Sequence, residues 1–125
     1  MIKIKKYLFN KLVILFPCIW NFNLLSENIN IESNTIIKLK NYNWNWYKLS
    51  KNPIININLI SETLDKNWDW SNLSFNININ DILTYPLYPW NMDIVRYRYK
   101  LKLDIQYFSE KNNILEDNEE NLDLA

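Results

Sequence analysis

Apolar and polar positions repeat along this chain with a period of 24 residues, and tryptophan marks each copy. Trp20, Trp44 and Trp68 are spaced by 24 residues twice, and Trp90 follows after 22. Other residue types recur at fixed distances after each Trp. An apolar residue lies two positions after it (Phe22, Trp46, Trp70, Met92) and another lies five after it (Leu25, Leu49, Leu73, Val95). Serine lies six after it (Ser26, Ser50, Ser74), asparagine eight after it (Asn28, Asn52, Asn76) and isoleucine eleven after it (Ile31, Ile55, Ile79). A fixed period in the twenties indicates a solenoid, because one such unit cannot bury its apolar face without its neighbours.

Two short helices are predicted in each unit, and the first runs from about 67 to 75 in the best copy. At about 100° per residue, Trp70 and Leu73 fall near one another, while Trp68 and Phe75 share a different face. Two apolar faces on one short helix predict that it is sandwiched between the preceding and the following unit.

Polar residues predict where the helices begin. Asp65 is the predicted N-cap of the first helix, since a side-chain oxygen there can accept a bond from a free backbone N–H group. The second helix is predicted over about 56–64, and over about 80–85 in the shorter copy, with Asn56 and Asn80 as N-caps. Apolar residues on these segments recur at helical spacing.

A strand interpretation competes with this assignment. Residues 55–59 and 75–79 alternate apolar and polar positions with period two, and isoleucine favours strands. The absence of glycine from the turns counts mildly against stacked β-turns. We therefore predict an all-α fold, a short α-solenoid of paired short helices, with a β-containing, leucine-rich-repeat-like solenoid as the alternative.

The period divides the chain into a solenoid over 1–108 and a tail. The predicted segments are a half-repeat or cap over 1–19, repeats over 20–43, 44–67 and 68–89, a C-terminal cap over 90–108, and an acidic tail over 109–125 that we predict to be disordered. Projecting one period back places Tyr7 beneath Ile31 and Leu12 beneath Ile36. Residues 95–107 alternate as a strand would, but the preceding repeats favour a capping helix.

Composition explains part of the pattern and leaves the tryptophans unexplained. The chain has 22 Asn and 18 Ile with no Gly and no His, a bias typical of an A/T-rich genome. Tryptophan has a single, G-rich codon, so its six copies are retained against that bias. We predict that the structural core of the repeats is formed by Trp20, Trp44, Trp46, Trp68, Trp70, Leu73 and Trp90.

Residues that carry chemistry are few. Cys18 is the only cysteine, so one chain can form neither a disulfide nor a thiolate cluster, and without histidine the usual base for a nucleophile is missing. We expect no catalytic residue, no metal site, no cofactor and no enzymatic activity.

A basic and aromatic segment gives a second hypothesis, single-stranded nucleic-acid binding. Cations alternate with Tyr97 and Tyr99, and aromatic rings beside cations are what single-strand binders use. The candidate contacts are Arg96, Arg98, Lys100 and Lys102. The simpler interpretation is a solvated helix face, and the balanced charge, 14 basic against 14 acidic residues, argues for neither nucleic acid nor a membrane.

The N-terminal segment, residues 1–20, suggests a signal peptide or membrane anchor as a minority alternative. Three lysines precede its apolar run, but Asn10 and Lys11 interrupt the run, which falls well short of a spanning helix. We therefore favour no membrane partner, and a secreted or anchored product remains the lesser alternative.

One resemblance adds to these predictions. The unit that runs from Asn52-Pro53 to the Trp68-x-Trp70-x-x-Leu73-Ser74 core resembles the short tryptophan- and asparagine-rich repeat abundant in giant viruses of the mimivirus type. It covers residues from about 7 to 95, although Asn67 stands where the family often has proline. The resemblance implies short paired helices and a setting in the host cytoplasm or the virion, and it brings no catalytic residues.

The repeat and this resemblance together predict a non-enzymatic protein-interaction or structural module. The expected partner is another protein. A monomer and a self-stacking oligomer are both left open.

Overall fold

The chain folds into α-helices joined by short connections. The structure, a computed structural model, describes residues 2–124, and their side chains from 5 to 112. The helices are α1 Ile2–Leu15, α2 Phe22–Leu25, α3 Ser33–Lys38, α4 Trp46–Leu49, α5 Ile57–Glu62, α6 Trp70–Asn76, α7 Ile79–Thr84 and α8 Met92–Leu124, with a 3-10 turn over Pro17–Ile19. No β-strand occurs in the part of the chain that the structure describes, so the all-α prediction is confirmed and the β-containing alternative is wrong.

The first helix of each unit, α2, α4 or α6, begins later than the sequence predicts. In the best copy it starts at Trp70 because the side chain of Asp69 accepts a hydrogen bond from the Asn72 N–H group and so caps the helix. Trp68 therefore lies before the helix, and the predicted N-cap, Asp65, is wrong. The Asp65 carboxylate instead lies 3.7 Å from the Lys66 ammonium group. Phe75 is exposed, so the second apolar face predicted for this helix is also wrong.

The second helix of each unit, α3, α5 or α7, is six residues long. Asn56 caps α5 as predicted, with its side chain accepting from the Leu59 N–H group at 2.9 Å. Helix α7 is capped by Asn78 and not by Asn80. The reason is that the shorter unit has a shorter connection between its two helices, where only Ile77 and Asn78 stand between α6 and α7.

This shortened connection shifts one column of the repeat. Ile31 and Ile55 each lie two residues before a second helix, and Ile77 takes that place in the third unit. Ile77 is buried, while Ile79 is the first residue of α7. The equivalence of Ile79 with Ile31 and Ile55 that the sequence spacing predicts is therefore wrong.

The core runs through the units and is closed at each end by a longer helix. Helix α3 packs against both α1 and α5, and α8 packs against α6 and α7. The fully buried large side chains include leucines and isoleucines of every unit: Ile31, Ile36, Leu49, Leu59, Ile60, Leu73 and Ile82.

Helix α1 covers the first unit with a face other than the predicted one. Tyr7 and Leu12 are about half exposed, and Asn10 and Val13 are buried instead. The Asn10 Nδ2 atom donates to the Asn30 carbonyl at 2.8 Å, and its Oδ1 accepts from the Glu32 N–H group and the Thr35 hydroxyl, both at 2.8 Å. A single buried amide thus links α1 to α3. Among residues 2–124, no helix has both the length and the apolar content to cross a membrane.

Helix α8 closes the other end. The helix predicted over 95–107 is confirmed, since α8 runs from Met92 to Leu124. The predicted boundary at 109 shows no break in the helical backbone. Disorder of 109–125 stays a prediction, because side chains after 112 lie outside the described residues.

Candidate interaction surface

The tryptophan that opens each unit is buried and hydrogen-bonded. Trp44, Trp68 and Trp90 are each 5–6% exposed. Their Nε1–H groups donate to the carbonyl five residues earlier, at 2.9 Å to Leu39, 3.0 Å to Thr63 and 2.8 Å to Tyr85. Tryptophan joins a large apolar ring to one N–H donor that needs a partner when buried, and this environment supplies both requirements.

The aromatic residue two positions later contacts the next unit. Ring centroids of successive units lie edge to face at 4.8 Å for Phe22–Trp44, 4.9 Å for Trp46–Trp68 and 5.2 Å for Trp70–Trp90. Trp20, which has no such preceding ring, is half-buried and stacks on Phe9 of α1 at 5.7 Å. The predicted structural residues therefore lie at the joints between units, with Leu73 fully buried beside them.

The serine column joins each unit to the next. The hydroxyls of Ser26, Ser50 and Ser74, all fully buried, donate to the carbonyl four residues earlier at 2.6–2.7 Å. Each hydroxyl also accepts the backbone N–H group of a residue in the following unit, at 2.9, 2.9 and 2.8 Å. The N–H groups that donate these bonds belong to Asn45, Asp69 and Asn91.

The residue directly after each tryptophan is the N-cap of the first helix, and sequence reasoning missed this. The four side chains accept the N–H group three residues later: Asn21, Asn45, Asp69 and Asn91. The signal is present in the sequence, because the Trp that opens each unit is followed by Asn or Asp, residue types that favour N-caps.

Arg98 belongs to the asparagine column and not to a separate basic surface. The Asn52 and Asn76 amides donate to the carbonyls of Ser26 and Ser50, at 3.1 and 3.2 Å. The Arg98 guanidinium group makes the equivalent bond to the Ser74 carbonyl. Partial burial removes water from the charged group and lowers the pKa of Arg98 from its ordinary value.

Of the four basic residues predicted to contact nucleic acid, two bond other units of the chain and two have no such bond among the described residues. Arg98 bonds the third unit, and the Lys102 ammonium group donates to the Asn80 side chain at 2.9 Å. Arg96 and Lys100 are exposed. The four cations do not form one free face.

Exposed positions in the helix that follows each Trp, or in the turn just after it, differ from unit to unit. They lie three and seven residues after each Trp, and we call them the variable row: Asn23, Glu27, Tyr47, Lys51, Ser71, Phe75, Asp93 and Tyr97. The Lys51 ammonium group, in the turn that follows α4, lies 4.2 Å from the centre of the Tyr47 ring.

The variable row continues from one unit to the next. The Asn45 side chain donates to Asn23 at 2.9 Å, and the Asn91 side chain donates to Ser71 at 3.1 Å. The Lys48 ammonium group lies 2.9 Å from the Glu27 carboxylate across the same joint. One surface with varied chemistry is thus held on a framework of repeated residues.

No metal centre is found among the described side chains, where no group of three His, Cys, Asp or Glu residues lies close enough together. Cys18 is exposed. Comparison of the chain with protein-family models, with curated proteins and with solved structures finds no match. The candidate surface is therefore defined by the geometry of this chain.

Proposed function

We propose that this chain is a non-enzymatic repeat protein, a short α-solenoid of stacked units that acts as a protein-interaction or structural module. The observation that supports it is the separation of constant from varied positions. Residues that recur in every unit bond or pack against a neighbouring unit, and residues that differ between units are exposed in the variable row.

This separation is what a binding scaffold requires. A change in the variable row alters the surface and leaves in place the bonds that the buried serines make between units. Repeat proteins commonly bind partners along such extended surfaces. The row of this chain mixes Tyr47, Phe75 and Tyr97 with the charges of Glu27 and Lys51, and aromatic rings among charges suit a polypeptide partner.

The resemblance to the repeats of giant viruses supports the same proposal. It adds the host cytoplasm or the virion as the setting in which the module acts. The short helices of the chain are consistent with that resemblance, and membership of the giant-virus repeat family stays a prediction.

Site-specific photo-crosslinking in the producing cell tests the proposed surface. A benzophenone side chain replaces Tyr47 or Phe75 in the variable row, and Ile29 or Leu87, which are also exposed, as controls. We expect one polypeptide, identified by mass spectrometry, to be attached from both row positions and from neither control. Adducts that are absent, or the same from all four positions, would contradict the proposal.

Single-stranded nucleic acid is the second candidate partner. It is favoured by the exposed Arg96 and Lys100 beside the exposed rings of Tyr97 and Tyr99. Fluorescence anisotropy with a labelled single-stranded RNA decides it. Binding that weakens steeply with salt supports this candidate, and no binding at low salt excludes it.

A further inference from the structure

One face of helix α1 is apolar and open to solvent. Five side chains on this helix and on the turn that follows it are about half exposed or more, and we call them the α1 face: Leu8, Leu12, Leu15, Phe16 and Ile19. Lys11 is the one charged residue among the exposed positions from 8 to 19. The fold does not require the α1 face to be apolar, because α1 packs on the first unit through other residues, among them Asn10 and Val13.

Two lysines flank the leucines of the α1 face. At about 100° per residue, Leu8, Leu12 and Leu15 fall within about 60° of one another around the helix. Lys5 and Lys11, both exposed, lie on either side of that arc. The leucines therefore form a ridge with a cation on each side.

Hydrogen bonds hold the turn after α1 against the end of this ridge. The Phe16 N–H group and the Trp20 Nε1–H group both donate to the Leu12 carbonyl, at 3.0 and 3.4 Å. The Ile19 N–H group donates to the Phe16 carbonyl at 3.3 Å. Phe16 and Ile19 are therefore fixed at the C-terminal end of α1, where they enlarge the exposed apolar surface.

Charge is distributed unevenly along the chain although the total is balanced. Residues 1–26 carry four lysines and no acid, whereas residues 27–125 carry ten cations and fourteen acids. The groove between α1 and α3 that adjoins the face is lined by the charged residues Lys11, Lys38 and Glu32, which leaves an excess of positive charge there too. The α1 end of the molecule therefore attracts an anionic surface and repels a second α1.

The chemistry of the α1 face fits a lipid surface better than a folded protein. Protein interfaces carry about one hydrogen bond per 100–200 Å², but among the exposed positions from 8 to 19 only Lys11 and the Cys18 thiol have a side-chain group that can form one. An apolar ridge between lysines is the arrangement of helices that lie in the membrane–water interface. There the apolar side chains enter the acyl region and the ammonium groups stay among the headgroups.

Helix α1 need not cross a bilayer in order to bind it. The prediction of no membrane partner rests on the length needed to span the bilayer, so it does not apply to a helix that lies along the surface. We propose that α1 docks this chain on membranes that contain anionic phospholipids, with the helix in the plane of the membrane and the α1 face directed into it. The docking uses no residue of the variable row, so it stands or fails independently of the proposed protein partner.

Co-sedimentation of the full chain with lipid vesicles tests the docking. One set of vesicles holds equal parts of phosphatidylserine and phosphatidylcholine, and the other holds phosphatidylcholine alone. We expect the chain to pellet with the mixed vesicles, with weaker binding as salt is raised, and to stay in solution with the neutral ones.

A pair of double variants tests the apolar residues. Leu8→Asn with Leu15→Asn is expected to weaken binding to the mixed vesicles by at least about tenfold, because two leucines no longer leave water on docking. Its matched control, Ile29→Asn with Leu87→Asn, removes two other exposed apolar side chains and is expected to bind as the wild type does. Circular dichroism checks that the helices remain in both variants.

A second pair tests the flanking charges. Lys5→Gln with Lys11→Gln is expected to weaken binding to the mixed vesicles about fivefold for each lysine removed. Lys100→Gln with Lys111→Gln removes two exposed lysines of α8 and is expected to bind as the wild type does.

The single cysteine reports whether the α1 face enters the membrane. Cys18 is exposed and precedes Ile19 in the turn after α1. An environment-sensitive fluorophore attached to its thiol is therefore expected to shift its emission to the blue on the mixed vesicles and not on the neutral ones.

Several outcomes would overturn the proposal. A wild type that stays in solution with both sets of vesicles shows that the chain does not dock on lipid. Equal loss of binding in the Leu8 and Leu15 double variant and in its control excludes the α1 face. Binding without a shift of the Cys18 label shows adhesion by charge alone. Sedimentation equilibrium without lipid adds a further outcome, since a dimer that Leu8→Asn with Leu15→Asn disrupts would show that a second copy covers the face.

Discussion

A buried serine hydroxyl links one unit to the next at the scale of single residues. Ser50 donates to the Trp46 carbonyl and accepts from the Asp69 N–H group, so it satisfies one backbone group in each of two units. The side chain is small enough for a closely packed joint. These two requirements explain why serine recurs there.

Ser50→Ala is expected to destabilise the protein by about 1–3 kcal/mol, the cost of leaving a buried donor without its partner. Urea denaturation followed by circular dichroism measures the change. Ser71→Ala, at an exposed position of the following unit, is the control and is expected to cost less than about 0.5 kcal/mol. Equal costs for the two variants would show that the buried bond contributes nothing.

Trp68→Ala removes an aromatic ring from a joint between units. The side chain is 6% exposed, contacts the Trp46 ring and donates to Thr63. Loss of a large buried aromatic side chain typically costs about 3–5 kcal/mol, so the variant is expected to unfold at much lower urea concentration. Tyr47→Ala, which removes an exposed ring, should change the midpoint little. A stable Trp68→Ala variant would contradict a structural role for the tryptophan column.

At the scale of elements, the short helices depend on their caps and neighbours. Helices α2 and α4 are four residues long, far below the length at which isolated helices are stable in water. Each first helix has a capping side chain at its N-terminus and one buried leucine: Leu25, Leu49 or Leu73. We therefore expect these short helices to need their N-cap side chains in order to form.

Asp69→Ala is expected to destabilise the protein by about 0.5–2 kcal/mol through loss of the N-cap of α6. Asp69→Asn should cost little, because Asn45 and Asn91 cap the equivalent helices. Thermal unfolding by calorimetry compares the two. Asp65→Ala is the control. A larger loss of stability in this variant than in Asp69→Ala would show that Asp65, the N-cap predicted from the sequence, caps α6.

The existence of these elements could be predicted from the sequence more reliably than their ends. The helical spacing of apolar residues predicts the all-α class, and the capping preference of asparagine predicts the cap of α5 at Asn56. The sequence predicts too early a start for α6 because Asp65 and Asp69 are both good caps, and only the bond from Asn72 distinguishes them. It predicts the wrong cap for α7 because the sequence of a shortened connection does not show which two residues are lost.

Much of the candidate surface could not be predicted from the sequence. The columns separate constant from varied positions, but exposure depends on which face each helix turns toward the next unit. Arg98 illustrates the limit: in sequence it belongs to a basic run, whereas in space it replaces an asparagine of the framework. Local pattern cannot show a partner that lies 24 residues away.

At the scale of the whole molecule, the same bonds recur between neighbouring units, and α1 and α8 cover the ends. A backbone N–H group that precedes a helix is ordinarily open to water. Here the N–H groups of Asn45, Asp69 and Asn91 are held by serines of the preceding unit. Asn21 caps α2 in the same way, but no serine among the described side chains accepts its backbone N–H group.

Amide hydrogen exchange measured by NMR therefore tests the central claim, that one repeated bond stacks the units. We predict that the amides of Asn45, Asp69 and Asn91 exchange more slowly than the amide of Asn21, because opening of a joint must precede their exchange. In Ser50→Ala, protection should be lost at Asp69 and kept at Asn45. Exchange at all four amides at the same fast rate would contradict the stacked arrangement.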